Sequence, residues 1–143
     1  MNEAIPAGIG APGAARTILL VDDNPLVLQA YRGALERRGY RVETAMDGVD
    51  AMKKAMILKP DLVVLDLAMP KLDGSYVLKF IRSQPDLISV RVILLSDASD
   101  ANIGRAALAQ NPDAAFLKSQ CTASLLADKI SELLAAADPP APT

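Results

Sequence analysis

Five apolar runs divide the chain, and a stretch with helical spacing follows each of them. Thr17–Val21, Leu62–Leu65 and Val90–Leu95 are nearly continuous runs of Val, Ile and Leu without polar alternation. Such runs mark strands buried on both faces, hence a parallel sheet. Arg41–Ala45 and Ala114–Leu117 are weaker and read as edge strands. Helical patterns fill the gaps at Pro25–Arg38, Gly48–Leu58, Gly74–Ser83, Asp100–Gln110 and Thr122–Ala137. Pro25 suits a first helical position, where its missing N–H is not needed, and Gly39 suits a helix stop. Strands alternating with helices of this length give βαβ units with right-handed crossovers. The expected fold is α/β, a doubly wound five-stranded parallel sheet of the flavodoxin-like kind, with strand order 2-1-3-4-5.

The pattern stops at both ends. Residues 1–15 are rich in Ala, Gly and Pro, with Glu3 as the only charged side chain, and read as a flexible N-terminal tail. Residues 138–143 contain Pro139, Pro140 and Pro142 and read as a Pro-rich C-terminal tail. One domain is expected over 16–137. Apolar residues make up 51% and aromatic residues 3%, so its core must be aliphatic. The net charge of -2 comes without a basic stripe, so direct DNA binding is not expected. The chain has no histidine, which removes histidine bases, histidine metal ligands and an internal phosphohistidine donor. Cys121 is the only cysteine and reads as a structural or incidental thiol. No apolar stretch is long enough to span a bilayer and no signal-peptide pattern opens the chain, so a cytoplasmic protein without membrane contact is expected. Tyr31, Tyr40 and Tyr76 are too scattered for a base-stacking platform. Met46, Met52 and Met56 are expected to fill core gaps beside the second helix.

Chemistry concentrates where strands end. Open parallel sheets bind ligands at the carboxyl ends of their strands. Asp22 and Asp23 close the first strand, Asp66 the third, Ser96 the fourth and Lys118 the fifth. An Asp after a strand is often only a helix cap or turn residue, but four strands ending on acidic, acidic, hydroxyl and basic groups make a joint pattern. At about 5 Å and an effective dielectric of about 20, each carboxylate pair repels by roughly 3 kcal/mol, so a cation must offset it. Oxygen-only ligands with open positions suit Mg²⁺.

These residues resemble the receiver domains of two-component response regulators. The likeness covers about Thr17–Ala137 and rests on Ile18-Leu19-Leu20-Val21-Asp22-Asp23-Asn24, on Asp66-Leu67-Ala68-Met69-Pro70-Lys71-Leu72-Asp73-Gly74, on Leu94-Leu95-Ser96 and on Phe116-Leu117-Lys118. The resemblance implies that Asp66 is the phosphoacceptor. It implies that Asp23, Asp66 and the backbone carbonyl of Ala68 ligate Mg²⁺, with Asp22 acting through water. Lys118 would pair with phosphoryl oxygens, and Ser96 would be the switch hydroxyl. Such a protein is not an enzyme apart from self-catalysed phosphoryl transfer and autodephosphorylation. It would take its phosphoryl group from a sensor histidine kinase or a histidine phosphotransfer protein and signal to a downstream protein partner by contact. A stand-alone, chemotaxis-receiver-like regulator is expected. A phosphorelay intermediate and a constitutive interaction module with little phosphorylation remain alternatives. A homodimer through the face of the fourth helix, fifth strand and fifth helix is left open. A Mg²⁺-dependent phosphohydrolase on a similar sheet would need a general-acid Asp two residues after Asp66, where Ala68 stands.

Three positions depart from the family pattern. Ser119 follows Lys118 where proline is commoner. Ala115 stands where an aromatic switch residue usually sits, with Phe116 one position later, either a core residue or turned inward by a register slip. Asp97 follows Ser96 where a small uncharged residue is usual, and it either caps the next helix or repels phosphate. Without a ring at Ala115 to follow Ser96 inward, a major differential contact between two states is missing. Adding beryllofluoride should therefore move amide resonances of Asp100–Gln110 and Ala114–Leu126 only weakly. Large shifts throughout both segments would show the aromatic to be dispensable.

Overall fold

A computed structural model describes residues 15–69, 74–97, 105, 109 and 111–137. The elements run β1 (Thr17–Val21), α1 (Pro25–Glu36), β2 (Arg41–Ala45), α2 (Gly48–Leu58), β3 (Leu62–Asp66), α3 (Gly74–Ser83), β4 (Arg91–Ser96), β5 (Ala114–Leu117) and α4 (Ala123–Ala137). Short 3-10 turns occupy Pro85–Leu87 and Lys118–Gln120. All strands are parallel, in the order β2-β1-β3-β4-β5. This is the doubly wound sheet expected from the apolar runs. The expected C-terminal tail, all of the expected N-terminal tail but Ala15, the residues Pro70, Lys71, Leu72 and Asp73, and most of the helix expected over Asp100–Gln110 lie outside the described residues. From that helix Arg105 and Ala109 are described, and the Ala109 N–H donates to the Arg105 carbonyl at 3.2 Å. No helix among the described residues is long and apolar enough to cross a membrane.

Alternation along the central strands divides the core in two. Ile18, Leu20, Leu62, Val64, Ile93 and Leu95 face α1 and α4, where Leu28, Leu35, Leu126 and Ile130 meet them. Leu19, Val21, Val63, Leu65, Val92 and Leu94 face α2 and α3, where Ala51, Ala55, Val77, Leu78 and Ile81 meet them. Burial on both faces is why β1, β3 and β4 read as unbroken apolar runs. Phe116 packs against the first of these cores, as a core residue in regular register opposite Leu95, and Ala115 is exposed.

Several boundaries differ from expectation. Helix α1 ends at Glu36, two residues before Arg38, because Arg38 and Gly39 bond back three residues, to Leu35 and Glu36, and Gly39 turns to φ 92°. Strands β3 and β4 include Asp66 and Ser96, and Val90 belongs to the preceding turn through its bond to Leu87. Lys118 lies just past β5, in a 3-10 turn. Of the three methionines expected in the core only Met52 packs there. Met56 is 37% exposed because Ala51 and Ala55 take the inward face of α2, and Met46, 46% exposed, lies in the turn before that helix.

Caps and one close approach position the strand ends. Asn24 caps α1 by accepting the Leu26 N–H at 2.9 Å, which sets the turn carrying Asp22 and Asp23. At the opposite end of the sheet Asp113 accepts from Arg82, Arg91 and the Val92 N–H, at 3.0, 3.2 and 2.7 Å, and ties α3 to the starts of β4 and β5. Gly74 opens α3 directly beneath the β3 exit, and its N–H donates to the Leu67 carbonyl at 3.2 Å. A Cβ there would stand 2.7 Å from the Asp66 carbonyl oxygen and 2.9 Å from Leu67 Cα. Both are backbone atoms, so only glycine fits without moving the loop after Asp66. Gly74→Ala should therefore lower the unfolding free energy by about 1–3 kcal/mol, read as a fall in the urea midpoint. An unchanged midpoint would mean that the loop absorbs the methyl freely.

Candidate functional site

The sheet brings the exits of β1 and β3 side by side, since Val21 is in register with Leu65. The residues after them, Asp22, Asp23 and Asp66, each present a carboxylate oxygen within 4.8 Å of the other two. Asp66 is 1% exposed and Asp22 3%, while Asp23 faces solvent. Asp66 Oδ1 accepts the Ala68 N–H at 3.1 Å, and Asp66 Oδ2 accepts from Lys118 Nζ at 3.1 Å. Asp22 Oδ1 accepts the Asn24 N–H at 2.9 Å. The Lys118 ammonium also stands 2.8 Å from Asp22 Oδ2, an ion pair to a buried oxygen with no other hydrogen-bond partner. The resemblance implied that Asp22 acts through water and that Lys118 pairs with phosphoryl oxygens. In this structure Lys118 stands against both buried carboxylates.

Electrostatics follow from that arrangement. Burial pushes the Asp66 carboxyl above the usual carboxylate range, and the neighbouring charge of Asp22 pushes the same way. The bonds from Lys118 and the Ala68 N–H pull it back without cancelling the rise. Burial opposes the charge on Lys118, but Asp22 and Asp66 outweigh it and hold the ammonium above the usual lysine range. Tyr31 lies under the site on α1. Its phenol is pushed far above its ordinary range by burial first, then by its neighbour Cys121 and the nearby carboxylates, so it stays an O–H donor. That donor bonds the Cys121 carbonyl at 2.8 Å.

Of the sequence candidates, Asp22, Asp23, Asp66 and Lys118 come together, and Ala68 joins through its N–H. Ser96 ends the neighbouring strand β4, half-exposed and on the parity of Leu94, without a hydrogen bond to the carboxylates. Asp97 is exposed beside it. Cys121 is buried. Tyr31 and Gly74 were not singled out. A tyrosine on a helical core face carries no mark of its distant partner, whereas the Asp-Gly pair at 73–74 was visible as a motif without its reason.

The donor set fits a hard divalent cation. All the side-chain groups are carboxylates, they converge on one point, and Asp22 Oδ2 keeps an unused lone pair.

Comparisons with known proteins agree with this geometry. The family model described as "Response regulator receiver domain" matches residues 18–130. The chain is 44% identical over 82 residues to the alkaline phosphatase synthesis transcriptional regulatory protein PhoP of Bacillus subtilis, covering 57% of this chain and 34% of that protein. It is 37% identical over 125 residues to the gliding motility regulatory protein of Myxococcus xanthus, covering 86% of this chain and 16% of that protein. The chain thus spans only about a third or less of these relatives' length. Among solved structures, the signal receiver domain of a signal transduction histidine kinase from Syntrophus aciditrophicus superposes with a TM-score of 0.80 at 30% identity, over 90% of this chain and 97% of that one. The chemotaxis response regulator CheY4 of Vibrio cholerae shares the fold, with a TM-score of 0.76 at 24% identity, over 84% of this chain and 99% of that one.

The raised Asp66 carboxyl carries a stability prediction. In metal-free buffer the native state holds the Asp66 proton at a pH where the unfolded chain has released it. This group's unfavourable contribution is therefore complete above its folded value and fades as pH falls toward the ordinary carboxylate range. Asp66→Asn should raise the urea midpoint at neutral pH, and its advantage over the parent should shrink as pH falls toward the ordinary carboxylate range. A midpoint below the parent's at neutral pH would mean that the Lys118 bond outweighs the burial of charge.

Proposed function

The chain belongs to the response regulator receiver domain family, and on that premise we propose that Asp66 accepts the phosphoryl group and that the chain signals through protein contacts. Receiver domains act in two-component signalling with histidine kinases or phosphotransfer proteins and with downstream partners; they are phosphoacceptors and not enzymes in the ordinary sense. The observation that carries the reading is one carboxylate, Asp66, buried at a strand end with one oxygen bonded to a backbone N–H and the other to Lys118.

An Asp66 oxygen attacks the phosphorus of a partner's phosphohistidine. The new oxygen–phosphorus bond forms as the phosphorus–nitrogen bond breaks, and the imidazole nitrogen leaves with the electron pair. The product is an acyl phosphate of about -1.5 to -2 charge where a single carboxylate charge stood. Lys118 holds a fixed positive charge at the attacking carboxylate and is near enough to follow charge onto the phosphoryl oxygens. Asp23, Asp66 and the Ala68 carbonyl would hold Mg²⁺, with Asp22 acting through water. When bound, this cation neutralises charge that spreads over the transferring group. Ser96 is the hydroxyl at the neighbouring strand end, available to the phosphoryl oxygens after it moves inward.

A second reading, an interaction module that is seldom phosphorylated, draws on two residues. Ala115 offers no ring at the switch position, and Phe116 is committed to the core. Incubation with Mg²⁺ and acetyl phosphate separates the two. Intact-mass measurement should find one acid-labile phosphoryl group on the parent chain and none on Asp66→Asn. Asp23→Ala should keep the fold and lose the dependence on Mg²⁺. Normal incorporation into Asp66→Asn would refute the assignment, and an unmodified parent would favour the interaction module.

A further inference from the structure

We propose that Tyr31 is a positioning residue for Lys118: its hydroxyl, reaching across from α1, holds the turn from which the lysine meets Asp66. The inference rests on Asp66 being the phosphoacceptor. Lys118 opens a single 3-10 turn, which one backbone bond closes, from the Cys121 N–H to the Lys118 carbonyl at 3.3 Å. One such bond is long, and turns of this length are weak alone. Ser119 and Gln120 are exposed, so the middle of the turn has no packing to steady it. Cys121 is buried and bonded from both sides. Its N–H closes the turn, and its carbonyl accepts the Tyr31 hydroxyl at 2.8 Å.

The anchor itself is rigid. The Tyr31 ring lies in the core cluster that holds Leu28, Leu35, Leu126 and Ala127. Two side-chain torsions, both fixed by packing, leave the hydroxyl little freedom. Beyond Cys121, Thr122 caps α4 through the Leu125 N–H at 3.1 Å, so the tie sits where the turn gives way to a regular helix. Deleting the hydroxyl would leave a buried carbonyl without its partner. The turn would then shift to regain one, and the lysine's origin would shift with it. Lys118 must reach Asp22 and Asp66 together, at 2.8 and 3.1 Å, on a flexible four-carbon stem. A displacement of about 1 Å can cost on the order of 100-fold in a positioned reaction.

Tyr31→Phe keeps the ring and removes only the donor. Tyr40→Phe is the control, because Tyr40 also bonds to α4, through Ser131 Oγ at 2.9 Å, and has no contact with the site. Each protein is given acetyl phosphate and Mg²⁺, so that the Asp66 oxygen–phosphorus bond forms as the donor's phosphorus–oxygen bond breaks and acetate leaves with the electron pair. Tyr31→Phe should lower the maximal phosphorylation rate by on the order of tenfold with little change in the donor concentration at half-maximal rate. Tyr40→Phe should leave both unchanged. The Lys118 ammonium resonance, read in nitrogen-15-labelled protein without metal, should broaden or shift in Tyr31→Phe alone. That signal comes from the native population, so lost stability by itself does not move it. An unchanged rate and ammonium signal in Tyr31→Phe would overturn the proposal, as would equal losses in both variants. A parent chain that takes no phosphoryl group would refute the Asp66 reading instead, and the ammonium signal would still decide for or against Tyr31.

Discussion

Two carboxylates share one ammonium at the carboxyl end of the sheet, and much of the molecule is arranged around that contact. Asp22 and Asp66 are nearly inaccessible and carry like charge, an arrangement that a core tolerates only with a cation in reach. Lys118 supplies it from a third strand exit. The parallel sheet makes the meeting possible, because every strand leaves the sheet on the same side. Crossover helices then carry the chain back beneath the site. An antiparallel sheet with the same residues would send neighbouring strand ends to opposite edges.

The neutralisation is incomplete. Two buried carboxylates share one lysine, a third carboxylate stands beside them, and the Asp66 carboxyl is held above its ordinary range. A site built for stability alone would replace one carboxylate with an apolar or amide group. Asp22, Asp23 and Asp66 together form a group that could hold a divalent cation, in the way that functional sites hold residues the fold would not choose. The stability needed to sustain this comes from elsewhere. It comes from two aliphatic cores on either face of β1, β3 and β4, and from the Asp113 cluster that fastens the opposite end of the sheet.

Small, ordinary contacts set the position of the reactive groups. Asn24 fixes the turn after β1, Gly74 admits the β3 exit loop at a distance no side chain permits, and Tyr31 fastens the turn after β5. None of these touches the reacting atoms, but each sets where a carboxylate or the lysine begins. The resulting site is a set of strand ends held by their neighbouring helices.

The topology and most of the site's membership were legible in the pattern of apolar runs and the polar residues that end them. Unbroken apolar runs at Thr17–Val21 and Leu62–Leu65 can only be satisfied by burial on both faces, and weaker runs at Arg41–Ala45 and Ala114–Leu117 belong at the edges. Parallel pairing then brings Asp22, Asp23, Asp66 and Lys118 to one end, since every strand leaves the sheet on the same side. Tertiary packing alone decided how those groups pair. It set Lys118 between Asp22 and Asp66, turned Met46 and Met56 outward, and joined Tyr31 to a carbonyl 90 positions later. Helix ends moved for the same reason: the last turn of α1 tightened to three-residue bonds when Gly39 turned the chain toward β2. Periodicity along a chain encodes which face a residue takes. Which distant atom it meets there depends on how two elements, each free to rotate and slide until packed, come to rest against each other.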